Sequence, residues 1–250
     1  MPMNLPASSI IKTGVKPVNQ LLGLSGSPRK KGNSDILLNR ILDGAAQENI
    51  TSTHLNLTDI RFQGCIGCER CRKDKICTGL VDGMSVMYNQ ILSSKGLVLV
   101  SPTHNYNVTS WMKAFIDRLY CFYNFEDVRP RAWSSQLANQ GRKAVIAAVC
   151  EQESKADMGF TIEAMKNPLE ALGYDIVGEL GVFSVFDKAR VKKETSAMEN
   201  AFELGVTTFD HADIYGDYST EAGFGKAVSE SNINREKIQL ITKCGIQHTG

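Results

Sequence analysis

Apolar and polar positions follow two alternating rhythms along most of this chain. Leu21-Leu22-Gly23-Leu24, Gly96-Leu97-Val98-Leu99-Val100 and Ala144-Val145-Ile146-Ala147-Ala148-Val149 are short, continuous apolar runs, the mark of strands covered on both faces. Between them, Asp35 to Leu42, Met84 to Leu92, the stretch through Trp111, Phe115, Ile116 and Leu119, and Gly159 to Leu172 place apolar residues at helical spacing. The pattern predicts strands near 18–25, 53–57, 96–100, 144–149 and 174–183, with helices near 33–47, 84–92, 110–119 and 159–172. Strands alternating with helices imply an α/β fold: a parallel sheet covered on both faces and joined by right-handed crossovers. Residues 1–17 carry Pro2, Pro6 and Pro17 without a sustained period and read as a loosely packed arm.

In such sheets ligands bind beyond the carboxyl ends of the strands, where the strand order changes direction. Three polar loops fall there, at 25–34, 101–107 and 150–159. In the first, the apolar run ends in Ser25-Gly26-Ser27-Pro28-Arg29-Lys30-Lys31-Gly32-Asn33-Ser34 just before a helix. Free N–H groups of a first helical turn attract anions, hydroxyls and Arg29 add donors and charge, and Gly26 and Gly32 let the backbone approach closely. Neither the Walker loop nor the G-x-G-x-x-G fingerprint is present. Two readings stand side by side: a phosphate cradle, and an ordinary turn capped by Asn33 or Ser34.

Composition narrows the partners. A net charge of +1, with basic and acidic residues interspersed, gives no footprint for nucleic acid or an anionic membrane, so a small molecule or a protein is the expected partner. The N-terminus lacks a signal core and no apolar run approaches the roughly 20 residues of a membrane span, so a cytoplasmic location is expected. Four of the seven cysteines crowd between Cys65 and Cys77, which suggests a metal site or reactive thiols in a reducing compartment.

Gly26-Ser27-Pro28-Arg29 with Asn33-Ser34, and Ser101-Pro102-Thr103 through Asn107 leading into Lys113-Ala114-Phe115-Ile116-Asp117-Arg118, resemble the NAD(P)H-dependent FMN reductase family. Cys65-Ile66-Gly67-Cys68, Cys71 and Cys77, running into Val81-Asp82-Gly83-Met84, resemble its iron-sulfur flavoprotein branch. The resemblance covers about residues 18–204. It implies a flavodoxin-like, doubly wound, five-stranded parallel sheet of order 2-1-3-4-5, non-covalent FMN, and a homo-dimer or homo-tetramer. It further implies that Ser25, Ser27, Arg29, Asn33 and Ser34 hold the FMN phosphate, and that Pro102, Thr103, His104, Tyr106 and Asn107 flank the ribityl chain and ring. Tyr106 suits stacking on the ring or a subunit interface, and His104 a flavin contact or a solvent-facing place. Cys150-Glu151 stands where the family's third flavin loop begins.

The C-x2-C-x2-C-x5-C spacing of Cys65, Cys68, Cys71 and Cys77 suits a [4Fe-4S] cluster, because closely spaced thiolates can converge on one cubane face. Structural zinc usually brings two knuckles with a longer spacer, so iron is favoured over zinc, and free thiols are the other reading. Cys121 and Cys244 read as ordinary buried thiols.

The last residues change character. Leu204 to Gly216, with Asp210 and Tyr215, and Ile238 to Gly245, with Lys243, resemble the aldo/keto reductase signature and that family's next strand. The resemblance implies a proton-donor role for Tyr215, with Lys243 lowering its pKa. The family's catalytic His and most of its eight-stranded barrel have no counterpart by Gly250. The expectation is a truncated fusion of three parts: an arm at 1–17, a flavodoxin-like FMN domain at 18–204, and an inactive strand-helix-strand fragment of an incomplete (β/α)8 barrel at 205–250. The expected activity is electron transfer from NAD(P)H, or a protein donor, through FMN to a small-molecule or protein acceptor. The rival readings are a non-catalytic electron-transfer protein and, less favoured, aldo/keto reduction by the tail.

Overall fold

The computed structural model describes residues 20–206 and the backbone of 211–212 and 242–243; the arm at 1–17 lies outside the described residues. The first half of the sheet is built from β1 (Gln20–Ser25), α1 (Asn33–Gln47), β2 (Thr51–Asn56), a short α2 (Arg70–Asp74), α3 (Met84–Ser93) and β3 (Gly96–Pro102). The second half continues through α4 (Ser110–Arg118), β4 (Tyr123–Phe125), β5 (Trp133–Ser135), β6 (Arg142–Val149), α5 (Lys155–Met158), α6 (Thr161–Ala171), β7 (Tyr174–Val182) and α7 (Thr195–Val206). Beyond it, β8 (His211–Ala212) pairs in parallel with β9 (Thr242–Lys243), the pairing a strand-helix-strand unit requires.

The main sheet has the order β2-β1-β3-β6-β7 with every pair parallel, so the expected doubly wound, flavodoxin-like topology is the one observed. The chain leaves β1 toward one edge and returns to start β3 on its other side. That reversal opens a crevice between the carboxyl ends of β1 and β3.

Strand periodicity explains how one sheet serves two cores. On one face Leu22, Leu24, Leu97, Leu99 and Ile146 meet Met87, Phe115 and Met165; on the other, Val98, Val100, Val145 and Ala147 meet Leu37, Leu38, Ile41 and Ala201. Continuous apolar runs are therefore required, since both faces of each central strand are dry. Gly23 lets α1 lie close: an added Cβ would stand 2.8 Å from Leu38 Cδ1. The seam between α1 and α7 is closer still, with an added Cβ at Gly205 only 2.0 Å from the Ile41 carbonyl oxygen.

Three details add to the expectation. The helix expected over 159–172 is α6, and a separate four-residue helix, α5, precedes it across Gly159, whose φ is 59°. Residues 123–135 form an antiparallel hairpin, β4–β5, tied by an edge-on contact of Tyr123 and Trp133 at 5.2 Å. Finally α7 runs to Val206, so the boundary expected at 204/205 falls in its last turn. No helix among the described residues is long and apolar enough to cross a membrane.

Candidate functional site

Beyond the carboxyl ends of β1 and β3, Ser27, Pro28, Arg29, Gly32, Asn33 and Ser34 meet Pro102, Thr103 and His104 around a cavity of about 120 Å³. Its floor is the start of α1. Gly32 occupies the cap position with no side-chain hydrogen bond, so neither Asn33 nor Ser34 caps the helix and the capped-turn reading fails. An added Cβ at Gly32 would sit 2.7 Å from the Arg29 carbonyl oxygen, which is why only glycine fits this loop.

A buried carboxylate shapes the loop from below. Asp35 accepts from Ser25 Oγ at 2.5 Å, from the Lys31 N–H at 2.6 Å and from Asn56 Nδ2 at 3.1 Å. Ser25 Oγ, committed to Asp35, also accepts from the Ser27 N–H. Ser25 is thus fully buried under the loop rather than on the cavity wall, where Ser27 and Ser34 stand. The loop is also fixed to its neighbours: the Gly26 N–H donates to the Val100 carbonyl at 2.8 Å, and Thr109 Oγ1 donates to the Gly26 carbonyl at 2.7 Å.

The 102–107 segment is divided between two places. Pro102, Thr103 and His104 line the cavity, whereas Tyr106 and Asn107 sit on an exposed tight turn closed by reciprocal backbone bonds between His104 and Asn107. Asn105 and Tyr106 at its tip both have positive φ. Gly159 buttresses the turn: the Phe160 N–H donates to the Tyr106 carbonyl, and an added Cβ at Gly159 would lie 2.3 Å from that oxygen.

A fourth wall was not anticipated. Val185, Phe186 and Lys188, from the segment after β7, line the same cavity with Val149 and Glu151. Arg29 lies over the Phe186 ring at 4.5 Å and donates to the Phe186 carbonyl at 3.1 Å, while Asn33 Nδ2 donates to the Asp187 carbonyl at 2.9 Å. The signal available in the sequence was position alone: this segment comes after a strand whose carboxyl end faces the same edge.

The cysteine segment lies at the far end of α4. Cys65, Cys68, Cys71 and Cys77 all line one cavity of about 410 Å³, with Ile66, Leu80, Arg118 and Tyr120. Burial, and then the neighbouring cysteines Cys77, Cys65 and Cys68, raise the Cys71 thiol above its ordinary value. Among the described residues no three His, Cys, Asp or Glu side chains are placed to hold a single metal ion. Cys121 is buried beside the cysteine segment, close to Cys71 and Cys77, and burial pushes its thiol up to about 12; Cys150 is buried at the end of β6. Asp210, Tyr215 and Cys244 lie outside the described residues, and of Lys243 only its backbone in β9 is described.

Fold and cavity together define a flavodoxin-like α/β protein with a cavity at the switch point of its sheet, where the start of α1 meets residues 102–104. The family model described as NADPH-dependent FMN reductase matches residues 19–158, and the chain belongs to that family. A second model, the aldo/keto reductase family, matches residues 180–250 and so overlaps the end of β7 and all of α7. An iron-sulfur flavoprotein of Methanocaldococcus jannaschii is 30% identical over 99 residues, 40% of this chain and 51% of that protein. An oxidoreductase of Escherichia coli is 50% identical over 54 residues, 22% of this chain and 18% of that protein. The chain thus spans about half the length of the first of these relatives and less of the second. An FMN-dependent NADH-azoreductase from Bacillus anthracis, solved in complex with FMN, shares the fold with a TM-score of 0.53 at 17% identity, over 75% of this chain and 96% of that one.

Proposed function

We propose that this chain is an FMN-dependent oxidoreductase that takes electrons from NAD(P)H, or from a protein donor, and passes them through bound FMN to a small-molecule or protein acceptor. The observation that carries this reading is the cavity where the uncapped start of α1 meets residues 102–104. Its size suits a phosphate group rather than a whole flavin. Ser27, Ser34 and the first-turn N–H groups would hold the phosphate, with Arg29 and Lys188 supplying charge. Thr103, His104 and the turn carrying Tyr106 would then flank the ribityl chain and ring. Bound FMN supplies one- or two-electron chemistry. The chain's own part is binding and orientation, which the buried Asp35 network and the Gly159 buttress hold rigid.

The cysteine cavity supports a [4Fe-4S] cluster as a second centre. Four thiols line one cavity, the donor set such a cluster takes. Its exposed rim, Cys65 and Cys68, also favours the reading of an electron-transfer protein that docks a protein partner.

Anaerobic purification followed by absorption and iron analysis tests both centres. Bound flavin that bleaches on NAD(P)H addition is the expected result, and protein that takes up no FMN overturns the proposal. Flavin that ignores NAD(P)H and is reduced by a protein donor supports the carrier instead.

A further inference from the structure

Residues 63–82 form a largely exposed segment whose two ends meet at one buried point. Arg118, the last residue of α4, donates from Nη1 to the Gln63 carbonyl at 2.9 Å and to Asp82 Oδ2 at 2.7 Å, and from Nη2 to Asp82 Oδ1 at 3.0 Å. Asp82 in turn accepts from the N–H groups of Gln63, at 3.2 Å, and Met84, at 3.1 Å. One guanidinium and one carboxylate therefore hold both ends of the segment that bears all four clustered cysteines. Between those ends the segment has no fully buried residue in α2 and is held by half-buried Cys71 and Cys77 against the core, by Arg72 on Asp127 at 3.4 Å, and by Gln136 Nε2 donating to the Lys75 carbonyl at 3.5 Å.

The same arginine borders the cysteine cavity. It is 2% exposed, and its Nε–H is buried without an acceptor among the described residues. A buried donor left unmet is costly, and native structures retain few of them. Arginine is also the one side chain that can grip a carboxylate with two donors and still present a third in a fixed plane.

We propose that Arg118 and Asp82 are positioning residues of the cysteine site. The pair clasps the ends of the segment so that four thiols face one cavity, and the Arg118 Nε–H is reserved for a sulfur of the occupied site. The clasp stands without any metal, whereas the Nε–H role rests on the reading of these cysteines as cluster ligands.

The test uses the full chain, purified anaerobically with FMN, as wild type, Arg118→Met, Arg118→Lys and Asp82→Asn. FMN content reports an intact flavodoxin-like domain. Amide hydrogen exchange over residues 63–83 reports the clasp and should quicken about tenfold or more in Arg118→Met and Asp82→Asn; unchanged exchange in both overturns the clasp. Should Arg118→Met lose FMN as well, Asp82→Asn decides alone. Iron affinity should fall about 10–100-fold in Arg118→Met, the usual cost of losing a group that orients metal ligands. In Arg118→Lys a loaded cluster should show a shifted midpoint potential, because the Nε–H is gone while the charge remains; a wild-type potential overturns the Nε–H role. Wild-type protein that takes up no iron refutes the cluster reading and the Nε–H role with it, and the exchange result still settles the clasp.

Discussion

The two cavities at opposite ends of α4 are built by different means. The cradle at Ser27–Ser34 draws its walls from segments after β1, β3, β6 and β7, so the sheet itself fixes where they meet. The cysteine cavity has no sheet strand in it. Its segment includes two left-handed residues, Glu69 and Lys75, flanking a five-residue helix, and depends on a buried ion pair. A site placed by topology tolerates the loss of one contact, whereas a site placed by one clasp concentrates its stability in two side chains.

That contrast is open to measurement. The largest effect should come from Asp82→Ala, which strands the buried Arg118 guanidinium and should cost about 3–5 kcal/mol in urea unfolding. At the cradle, Asp35→Ala leaves Ser25, Lys31 and Asn56 without their acceptor and should cost about 1–3 kcal/mol, with weaker FMN binding by flavin titration. Gly159→Ala forces a side chain into a left-handed position against the Tyr106 carbonyl and should cost about 1–2 kcal/mol by thermal melting.

Acid should weaken the clasp in a defined window. Burial opposes ionisation of Asp82, but hydrogen bonds from Arg118, Gln63 and Met84 outweigh it and hold the carboxyl below its usual value. A carboxyl depressed in the folded state adds stability above its unfolded pKa, about 3.9, and loses it as pH falls through the folded value. The stability gap between wild type and Asp82→Asn should therefore hold steady from pH 7 to about 5 and shrink below about 4, as urea melts across pH would show. The smallest effect belongs to the exposed Lys113–Asp117 pair on α4, where Asp117→Asn should change stability by less than about 0.5 kcal/mol.

Legibility in the sequence divides along the same line. The start of α1 at Asn33 and its apolar stripe through Leu37, Leu38, Ile41 and Leu42 were legible because period and breaker agree. The central strands β1, β3 and β6 were legible because both their faces are dry, whereas the half-exposed edge strands β2 and β7 were legible from their place in the alternation of strands and helices. The β4–β5 hairpin was not: its three-residue strands are too short for a period, and ring contacts such as Tyr123 on Trp133 hold it instead. The four-residue α5 was not legible either, being too short for a period, and the packing of Gly159 after it needed knowledge of the Tyr106 turn, 53 positions earlier in the chain. Of the residues expected around FMN, Ser27, Arg29, Asn33, Ser34, Pro102, Thr103 and His104 converge on one cavity. Ser25 is buried beneath it, and Tyr106 and Asn107 stand on the turn outside. Phe186 and Lys188 escaped notice because no local pattern marks a wall supplied by the last strand.

The seam between α1 and α7 carries a lesson for protein grafting. At Gly44 and Gly205 the two helix backbones touch, with an added Cβ at Gly44 only 2.1 Å from the Phe202 carbonyl oxygen. This helix also falls inside the stretch matched by a second family. A new segment spliced onto the sheet upstream of Gly205 would have to arrive as a helix with glycine at that one register. Joined after Val206, it would meet no such demand, so the natural splice point for exchanging the C-terminal segment lies one residue beyond the contact.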